Sequence, residues 1–139
     1  MLRLIGFIFI SMFIVSCSSA LKIEPVPLIY NQTKLIYFVE NHGQDRRRLD
    51  QIITSELQKN GLHVSSGYKN DRPANFDILV VYEDRWQWDM TNYLIHMRID
   101  FRSPTTNALL GTGSSYQSSL ARKSENEIIS DIVSGMLKK

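Results

Sequence analysis

The side chains of this sequence that could carry out chemistry do not form a known catalytic or metal-binding motif. The three histidines are His42, His63 and His96, and none stands at a spacing typical of metal ligands. No Gly-x-Ser-x-Gly motif marks a nucleophilic serine. Glu83 and Asp84 are adjacent, so on a strand their carboxylates would point to opposite faces. We therefore expect no catalytic residue, no metal and no cofactor, and we expect that the protein is not an enzyme.

The most distinctive segment contains both tryptophans of the protein, Trp86 and Trp88. Their large amphipathic rings form a candidate interaction surface for a glycan, a peptide or a partner protein, with Asp84, Arg85 and Asp89 supplying polar contacts. The alternative is that both rings close one end of the core. We expect a core position for Trp88, because the chain must turn back over it within a few residues. The position of Trp86 is left open.

The only cysteine, Cys17, closely follows an apolar run that begins at Leu4, behind the basic residue Arg3. This run is shorter than the roughly 20 residues that a bilayer-spanning helix needs, so residues 1–16 have the plan of an export signal. The sequence Ile14-Val15-Ser16-Cys17 resembles the bacterial lipobox, the cleavage site of lipoprotein signal peptides. The resemblance implies that the Cys17 thiol receives a diacylglycerol and that the new amino terminus then receives a further acyl chain, such as palmitate. The alternative is a plain signal peptide or an anchor helix with an incidental cysteine.

The residue after the cysteine, Ser18, bears on which membrane would hold the protein. In Gram-negative bacteria of the enteric type, an aspartate at this position usually marks retention in the inner membrane. Two or three acyl chains suffice for stable anchoring. The expected location is therefore the cell envelope, on the periplasmic face of the outer membrane, with the inner membrane less favoured.

Length and composition fit a single folded domain and exclude several classes of protein. Of the 139 residues, 43% are hydrophobic and 22% are charged, which excludes a disordered chain, a collagen and a coiled coil. The formal net charge of +2 is too small to make nucleic acid the default partner. A single cysteine excludes a disulfide framework and a cysteine-based zinc site.

Residues 17–31 separate the expected lipid from the expected domain, residues 32–139. Pro25 and Pro27 hold the residues before them in extended geometry, which is typical of a short tether. The alternation of Val26, Leu28 and Tyr30 equally favours an edge strand laid along the domain. Both interpretations stay open at this point.

The domain itself is predicted to be α+β, with the element order β-α-β-β-β-β-α. The expected elements are a strand over 34–39, a helix over 44–60, strands over 62–66, 76–84, 93–102 and 109–118, and a final helix after Ser124. Gly61 is suited to end the first helix, and Ser124 with Glu127 forms a capping box for the second. We expect an antiparallel sheet of four to five strands, the last three as a meander, with two helices packed on one face.

The strand over residues 93–102 shows the clearest alternation in the chain. Its odd-numbered positions, such as Ile99, are apolar, and its even-numbered positions include His96, Arg98 and Asp100. This period of two is typical of a strand with one face on a core and one face in water. We therefore expect His96 to be exposed, Ile99→Asp to cost several kcal/mol, and Asp100→Asn to cost well under about 1 kcal/mol.

Several segments together resemble a family of small Gram-negative outer-membrane lipoproteins of uncharacterised role. The resemblance lies in Tyr82-Glu83-Asp84-Arg85-Trp86-Gln87-Trp88-Asp89, Tyr93-Leu94, the segment 114–120 and the closing amphipathic helix. It covers about residues 76–137. It implies an envelope lipoprotein with a compact α+β domain, similar in outline to the anticodon-binding-like domains of periplasmic assembly proteins. It implies no enzymatic activity and no particular site.

Two classes of function follow from these observations. The first is a lipid-anchored, non-enzymatic protein that binds or supports another component of the envelope. The alternative is a small-ligand or glycan binder, or a cell-wall enzyme, that uses the region of Trp86 and Trp88. A carboxylate close to the indoles inside a pocket would favour the alternative, and a dry aromatic cluster would favour the first.

Overall fold

The structure is a computed structural model that describes residues 19–30 and 32–138. The predicted signal segment, residues 1–16, and the predicted lipidation site, Cys17, lie outside the described residues. The domain is built from six strands and two α-helices. They are β1 (Ala20–Glu24), β2 (Ile36–Glu40), α1 (Leu49–Lys59), β3 (His63–Gly67), β4 (Ile78–Asp89), β5 (Thr91–Arg102), β6 (Leu109–Tyr116) and α2 (Glu125–Met136).

All six strands form one sheet in the order β1-β6-β5-β4-β2-β3. The α+β class is confirmed, but the prediction of four to five antiparallel strands is wrong. The sheet is mixed, because β2 pairs in parallel with both β3 and β4, whereas the pairs β4–β5, β5–β6 and β1–β6 are antiparallel. The parallel pair β2–β3 follows from the crossover through α1, since two strands joined by a helix return in the same direction.

The additional strand, β1, lies within the segment that was left open between a tether and an edge strand. Its residues Ala20–Glu24 pair with β6 at one edge of the sheet. They precede in sequence the alternating residues, Val26 to Tyr30, that favoured a strand. The chain then stays on the domain, because Val26 is buried and its backbone N–H donates to the carbonyl of Met136 (3.1 Å). A Cβ on Gly111 would come within 2.6 Å of the Val26 side chain, so this crossing requires a glycine there.

Helix α1 begins at Leu49, whereas the sequence predicted a start near residue 44. The Asp45 carboxylate accepts hydrogen bonds from the backbone N–H groups of Arg47 (2.9 Å) and Asp50 (3.3 Å). Asp45 thereby holds the preceding residues in a turn, and Arg48 ends that turn in a left-handed conformation (φ 58°). At the other end, Gly61 has a φ of 82° and closes the helix as predicted.

Helix α2 agrees with its prediction. The Ser124 hydroxyl accepts from the Glu127 N–H (3.3 Å), and the Glu127 carboxylate accepts from the Ser124 N–H (2.8 Å). Both helices contribute buried side chains to the single core. These are Leu49, Ile53 and Leu57 from α1, and Ile128, Ile129, Ile132, Val133 and Met136 from α2. A Cβ on Gly113 would lie 2.7 Å from the Ile132 side chain, so the glycine permits the close approach of α2 to β6.

Strand β5 follows its predicted alternation only up to a bulge. Met97, Ile99 and Phe101 are fully buried, as expected. Arg85 of β4 pairs with His96, but the next residue, Trp86, pairs with Leu94, so Ile95 is the additional residue. The bulge reverses the alternation, and Leu94, predicted on the polar face, lies in the core with 2% exposure.

The opposite face of the sheet is less wet than the sequence predicted, because Asp100 is only 4% exposed. Its carboxylate accepts hydrogen bonds from Arg98 (2.7 and 3.0 Å), Arg102 (2.8 Å) and the Thr112 hydroxyl (2.6 Å). Burial alone would raise the pKa of Asp100, but the bonds from Arg98, Thr112 and Arg102 outweigh it and lower the pKa to about 2. The expectation that Asp100 lies on a face in water is therefore wrong.

We predict that Asp100→Asn lowers the free energy of unfolding by roughly 2 kcal/mol at neutral pH, because it removes a buried charge from three donors. The Asp100 pKa is lower in the folded state than the ordinary 3.8. Its stabilising contribution is therefore complete above about pH 4 and is lost as the pH falls towards 2. Urea unfolding at several pH values measures both effects.

The matched control is Glu83→Gln, a change on the same face at a side chain that is 70% exposed. It should leave the urea midpoint nearly unchanged. An equal midpoint for Asp100→Asn and the unaltered protein would contradict the structural role of this cluster.

Candidate interaction surface at the β4–β5 hairpin

The segment that the sequence singled out forms the end of a long hairpin. Strand β2 pairs with β4 only over Ile78–Val80, and β6 pairs with β5 only from Arg102 to His96. Within the described part of the chain, no further strand pairs with the hairpin beyond these points. Its end is therefore a two-stranded ribbon that projects from the sheet, and we call residues 86–94 the ribbon.

Trp86 lies at the base of the ribbon and is half-buried against the core. Its indole N–H donates to the Asp84 carboxylate (2.8 Å). The guanidinium of Arg47, from the turn before α1, lies 3.7 Å from the centre of the ring. Trp86 is thus a structural residue that ties the ribbon to the core, with one face covered by a cation.

Asp84 connects the base of the ribbon to the loop after β2. Besides the bond from Trp86, its other oxygen lies 2.7 Å from Nε2 of His42, and the His42 ring packs on Tyr82 at a centroid distance of 5.0 Å. Sequence reasoning missed the pairing of His42 with Asp84, because 42 residues separate them and His42 was considered only as a metal ligand. The parallel pairing of β2 with β4 brings the two together.

Buried polar side chains hold the loop that carries His42. Asn41 donates to the Asp50 carboxylate (3.1 Å), and the Tyr82 hydroxyl donates to Asp45 (2.7 Å). Burial raises the pKa of Tyr82, and its bond to Asp45 raises it further, so the hydroxyl stays a donor. For Asp50, burial is outweighed by hydrogen bonds from Arg48 and Asn41, which lower its pKa.

An open cleft of about 580 Å³ runs along the edge of β4 beside this loop. Arg85 and His96 are cross-strand neighbours and border the cleft. His96 is half-buried, and not fully exposed as the sequence suggested. Burial lowers the pKa of His96, and the positive charge of Arg85 lowers it further, so the imidazole is neutral at neutral pH. The remaining lining residues are His42, Gln44, Tyr82, Glu83 and Asp84.

Trp88 lies near the tip of the ribbon and is 70% exposed. The prediction of a core position for Trp88 is therefore wrong. The chain does turn back, but Trp88 pairs with Asn92 near the end of the ribbon. That position lies beyond Trp86 and Leu94, which pack against the core. Arg122 holds the tip by donating to the Asp89 carboxylate (3.1 Å) and to the Thr91 hydroxyl (2.8 Å). The five predicted residues thus divide into three groups. Asp84 and Trp86 are half-buried and bonded to each other, Asp89 is exposed but paired with Arg122, and Arg85 and Trp88 are exposed.

Two features are absent from the residues that the structure describes, 19–30 and 32–138. Over those residues, no group of three or more His, Cys, Asp or Glu side chains is placed to hold a metal ion. Among the helices of the same residues, none combines the length and the apolar composition that a membrane span requires.

Comparison with known proteins identifies similar folds but no family. No family model and no curated protein matches the sequence. Two solved structures of PelC dodecamers from Paraburkholderia phytofirmans, one of them a single-substitution variant, have TM-scores of 0.63 and 0.62 at 11% and 10% identity. Each covers 88% of this chain and 99% of the PelC chain. At this identity the likeness shows the fold alone. A minor lipoprotein from Acinetobacter baumannii matches at a TM-score of 0.33 and 16% identity, over 69% of this chain and 82% of its own.

We predict opposite outcomes for the two tryptophans. Trp86→Ala should lower the free energy of unfolding by about 2 kcal/mol or more, because it removes a large side chain packed against the core. Trp88→Ala should change it by less than about 0.5 kcal/mol, because the side chain is exposed. Urea unfolding of the two variants, side by side, measures the difference, and equal losses would refute the division of the hairpin into base and tip.

Proposed function

We propose that this protein is a lipid-anchored component of the Gram-negative cell envelope, held through Cys17 at the periplasmic face of the outer membrane. The observation that carries the proposal is the lipobox-like sequence Ile14-Val15-Ser16-Cys17 at the end of an export signal. Only two residues, Ser18 and Ser19, separate Cys17 from β1. A lipid on Cys17 would therefore bring the folded domain directly to the membrane surface.

We propose further that the domain binds or supports another envelope component without catalysing a reaction. The support for the absence of catalysis is the bonding of Asp84, the carboxylate that accepts from the Trp86 indole. Both of its oxygens are engaged, one by His42 and one by Trp86. A carboxylate committed to two fixed partners is poorly suited to general acid or base chemistry, which needs a proton-transfer path to a substrate.

The cleft along β4 is the surface we propose for that binding. Arg85, Glu83 and Gln44 are exposed there and offer both signs of charge and an amide. The adjoining edge of β4 from about Tyr82 onward also presents backbone groups to a partner segment. The PelC neighbours are dodecamers, so a second copy of this chain is among the partners that the proposal includes.

The second candidate function is binding of a small ligand or a glycan. Two observations favour it. The cleft has a volume of about 580 Å³, which lies in the range of small-molecule sites, and the Asp84 carboxylate that accepts from the Trp86 indole lines it, as the sequence analysis required of this alternative. The two candidates differ in what they would hold in the cleft: a protein segment or a sugar chain.

We predict that Cys17→Ser abolishes incorporation of a fatty-acid analogue and leaves unprocessed precursor, because a serine hydroxyl cannot form the thioether. The control is Ser18→Asp, which should keep the label but shift the protein from outer-membrane to inner-membrane fractions. Labelling that persists in Cys17→Ser would refute the anchoring proposal.

The partner is tested by a photo-crosslinking residue at Gln44 in whole cells, with the same residue at the exposed Gln51 of α1 as control. An adduct of protein size from Gln44 alone supports the binding role, and an adduct of twice the chain mass indicates self-assembly. An adduct that shrinks on muramidase digestion indicates peptidoglycan and favours the second candidate. Equal adducts from both positions would count against a role for the cleft.

A further inference from the structure

One row of paired residues across the sheet defines where the chain would meet a membrane. Ala20 of β1 pairs with Tyr116 of β6, which pairs with His96 of β5, which pairs with Arg85 of β4. Beyond this row, in the same direction along the strands, lie Ser19 and the ribbon of β4 and β5. The amino-terminal end of β1 and the ribbon therefore lie at the same end of the sheet.

The chain can reach a similar distance beyond that row at its β1 end and at its β4 end. Cys17 precedes Ala20 by three residues, which span at most about 10 Å when fully extended. Strand β4 continues for four residues beyond Arg85, to Asp89, which is about 13 Å at the usual rise of a strand. The tip of the ribbon thus reaches at least as far from the row as Cys17 can.

Three large apolar side chains are exposed at that tip, among polar neighbours. Trp88 is 70% exposed, Met90 is 86% exposed and Leu120 is 74% exposed. Leu120 belongs to the loop after β6, and Arg122 of that loop donates to Asp89 and Thr91 at the turn of the ribbon. Those bonds hold the loop beside the tip, so the exposed leucine belongs to the same end of the molecule.

Neither the backbone of the turn nor packing in the core explains why residue 90 is a methionine. It has a φ of 61°, a left-handed conformation that glycine and asparagine adopt at lower cost. Its side chain is almost completely exposed. The folded domain itself therefore does not require a long apolar side chain at this turn.

We infer that the tip of the ribbon, formed by Trp88, Met90 and the adjoining Leu120, enters the interface between headgroups and acyl chains of the membrane that holds Cys17. This inference rests on the proposed lipidation of Cys17. Tryptophan is enriched at that depth of the bilayer. The carboxylate of Asp89, which would oppose entry among anionic headgroups, is paired with Arg122.

A second point of contact fixes how the domain stands on the membrane. Lipid on Cys17 alone would be a single point of attachment, which does not fix the orientation of the domain. With the tip also inserted, the row that contains Arg85 and His96 lies about 13 Å from the tip. The cleft then opens beside the membrane surface, where it can receive a partner that is itself in or near the membrane.

The test uses the full lipidated protein reconstituted into vesicles of phosphatidylethanolamine and phosphatidylglycerol. The vesicles include lipids brominated on the acyl chain near the headgroup, which quench tryptophan on contact. The protein has two tryptophans, so Trp88→Phe leaves only Trp86 as the matched internal control. The inference predicts that bromolipid removes much of the emission of the unaltered protein and almost none of the emission of Trp88→Phe.

A second variant separates insertion from folding. Met90→Asn removes the apolar side chain at a position where asparagine suits the backbone, so the urea midpoint should not fall. Quenching of Trp88 should nevertheless weaken, because the tip penetrates less deeply. Unchanged quenching in Met90→Asn would show that Met90 is not part of the inserted tip.

The remaining outcomes distinguish this inference from the proposed function. Mass spectrometry of the same preparation reports the lipid on Cys17. Lipidated protein in which bromolipid does not quench Trp88 overturns the inference and leaves the anchoring proposal intact. If Trp88 emission changes only with protein concentration, the tip contacts a second copy of the chain and not the membrane. Protein without lipid overturns the anchoring proposal and this inference together.

Discussion

Strands β4 and β5 each run for twelve residues, whereas β2 beside β4 has five and β6 beside β5 has eight. The two central strands therefore extend beyond the sheet and beyond the core that the helices cover. A two-stranded hairpin without further support is only marginally stable in water. Contacts from other parts of the chain stabilise this hairpin at its base and at its tip.

Three of those contacts come from segments distant in sequence. Arg47 lies over Trp86, His42 contacts Asp84, and Arg122 binds the turn at Asp89. The first two come from the loop between β2 and α1, which buried polar side chains hold in place, and the third comes from the loop after β6. The hairpin can therefore keep a defined direction while its tip presents apolar side chains to the outside.

The sequence predicted best those elements whose signals are local. The capping box at Ser124, the helix end at Gly61 and the buried run of Ile99 with its neighbours all depend on residues within a few positions of one another. It failed where the deciding contact is distant. Asp100 is buried because Thr112 and two arginines surround it, and β1 forms because β6 offers an edge.

The candidate site shows the same limit. The segment with the two tryptophans was recognised, but the roles of its members were not, because strand length and the bulge at Ile95 decide which ring is covered. Parity along β4 gives Trp86 and Trp88 the same face, yet one packs against the core and the other lies beyond it. Sequence alternation carries no information on where the covering helices end.

If Cys17 is lipidated as proposed, the ribbon and that terminus should face the same membrane, and spin-label accessibility tests this claim most directly. A label on Met90→Cys reports the ribbon tip, and a label on Thr106→Cys reports the β5–β6 turn at the other end of the sheet. Cys17 is the only native cysteine, so once it is lipidated the introduced thiol alone is labelled. On vesicles, the label at residue 90 should collide more with oxygen, which concentrates in lipid, and the label at residue 106 more with a water-soluble nickel complex. Equal aqueous accessibility at both positions would contradict the claim.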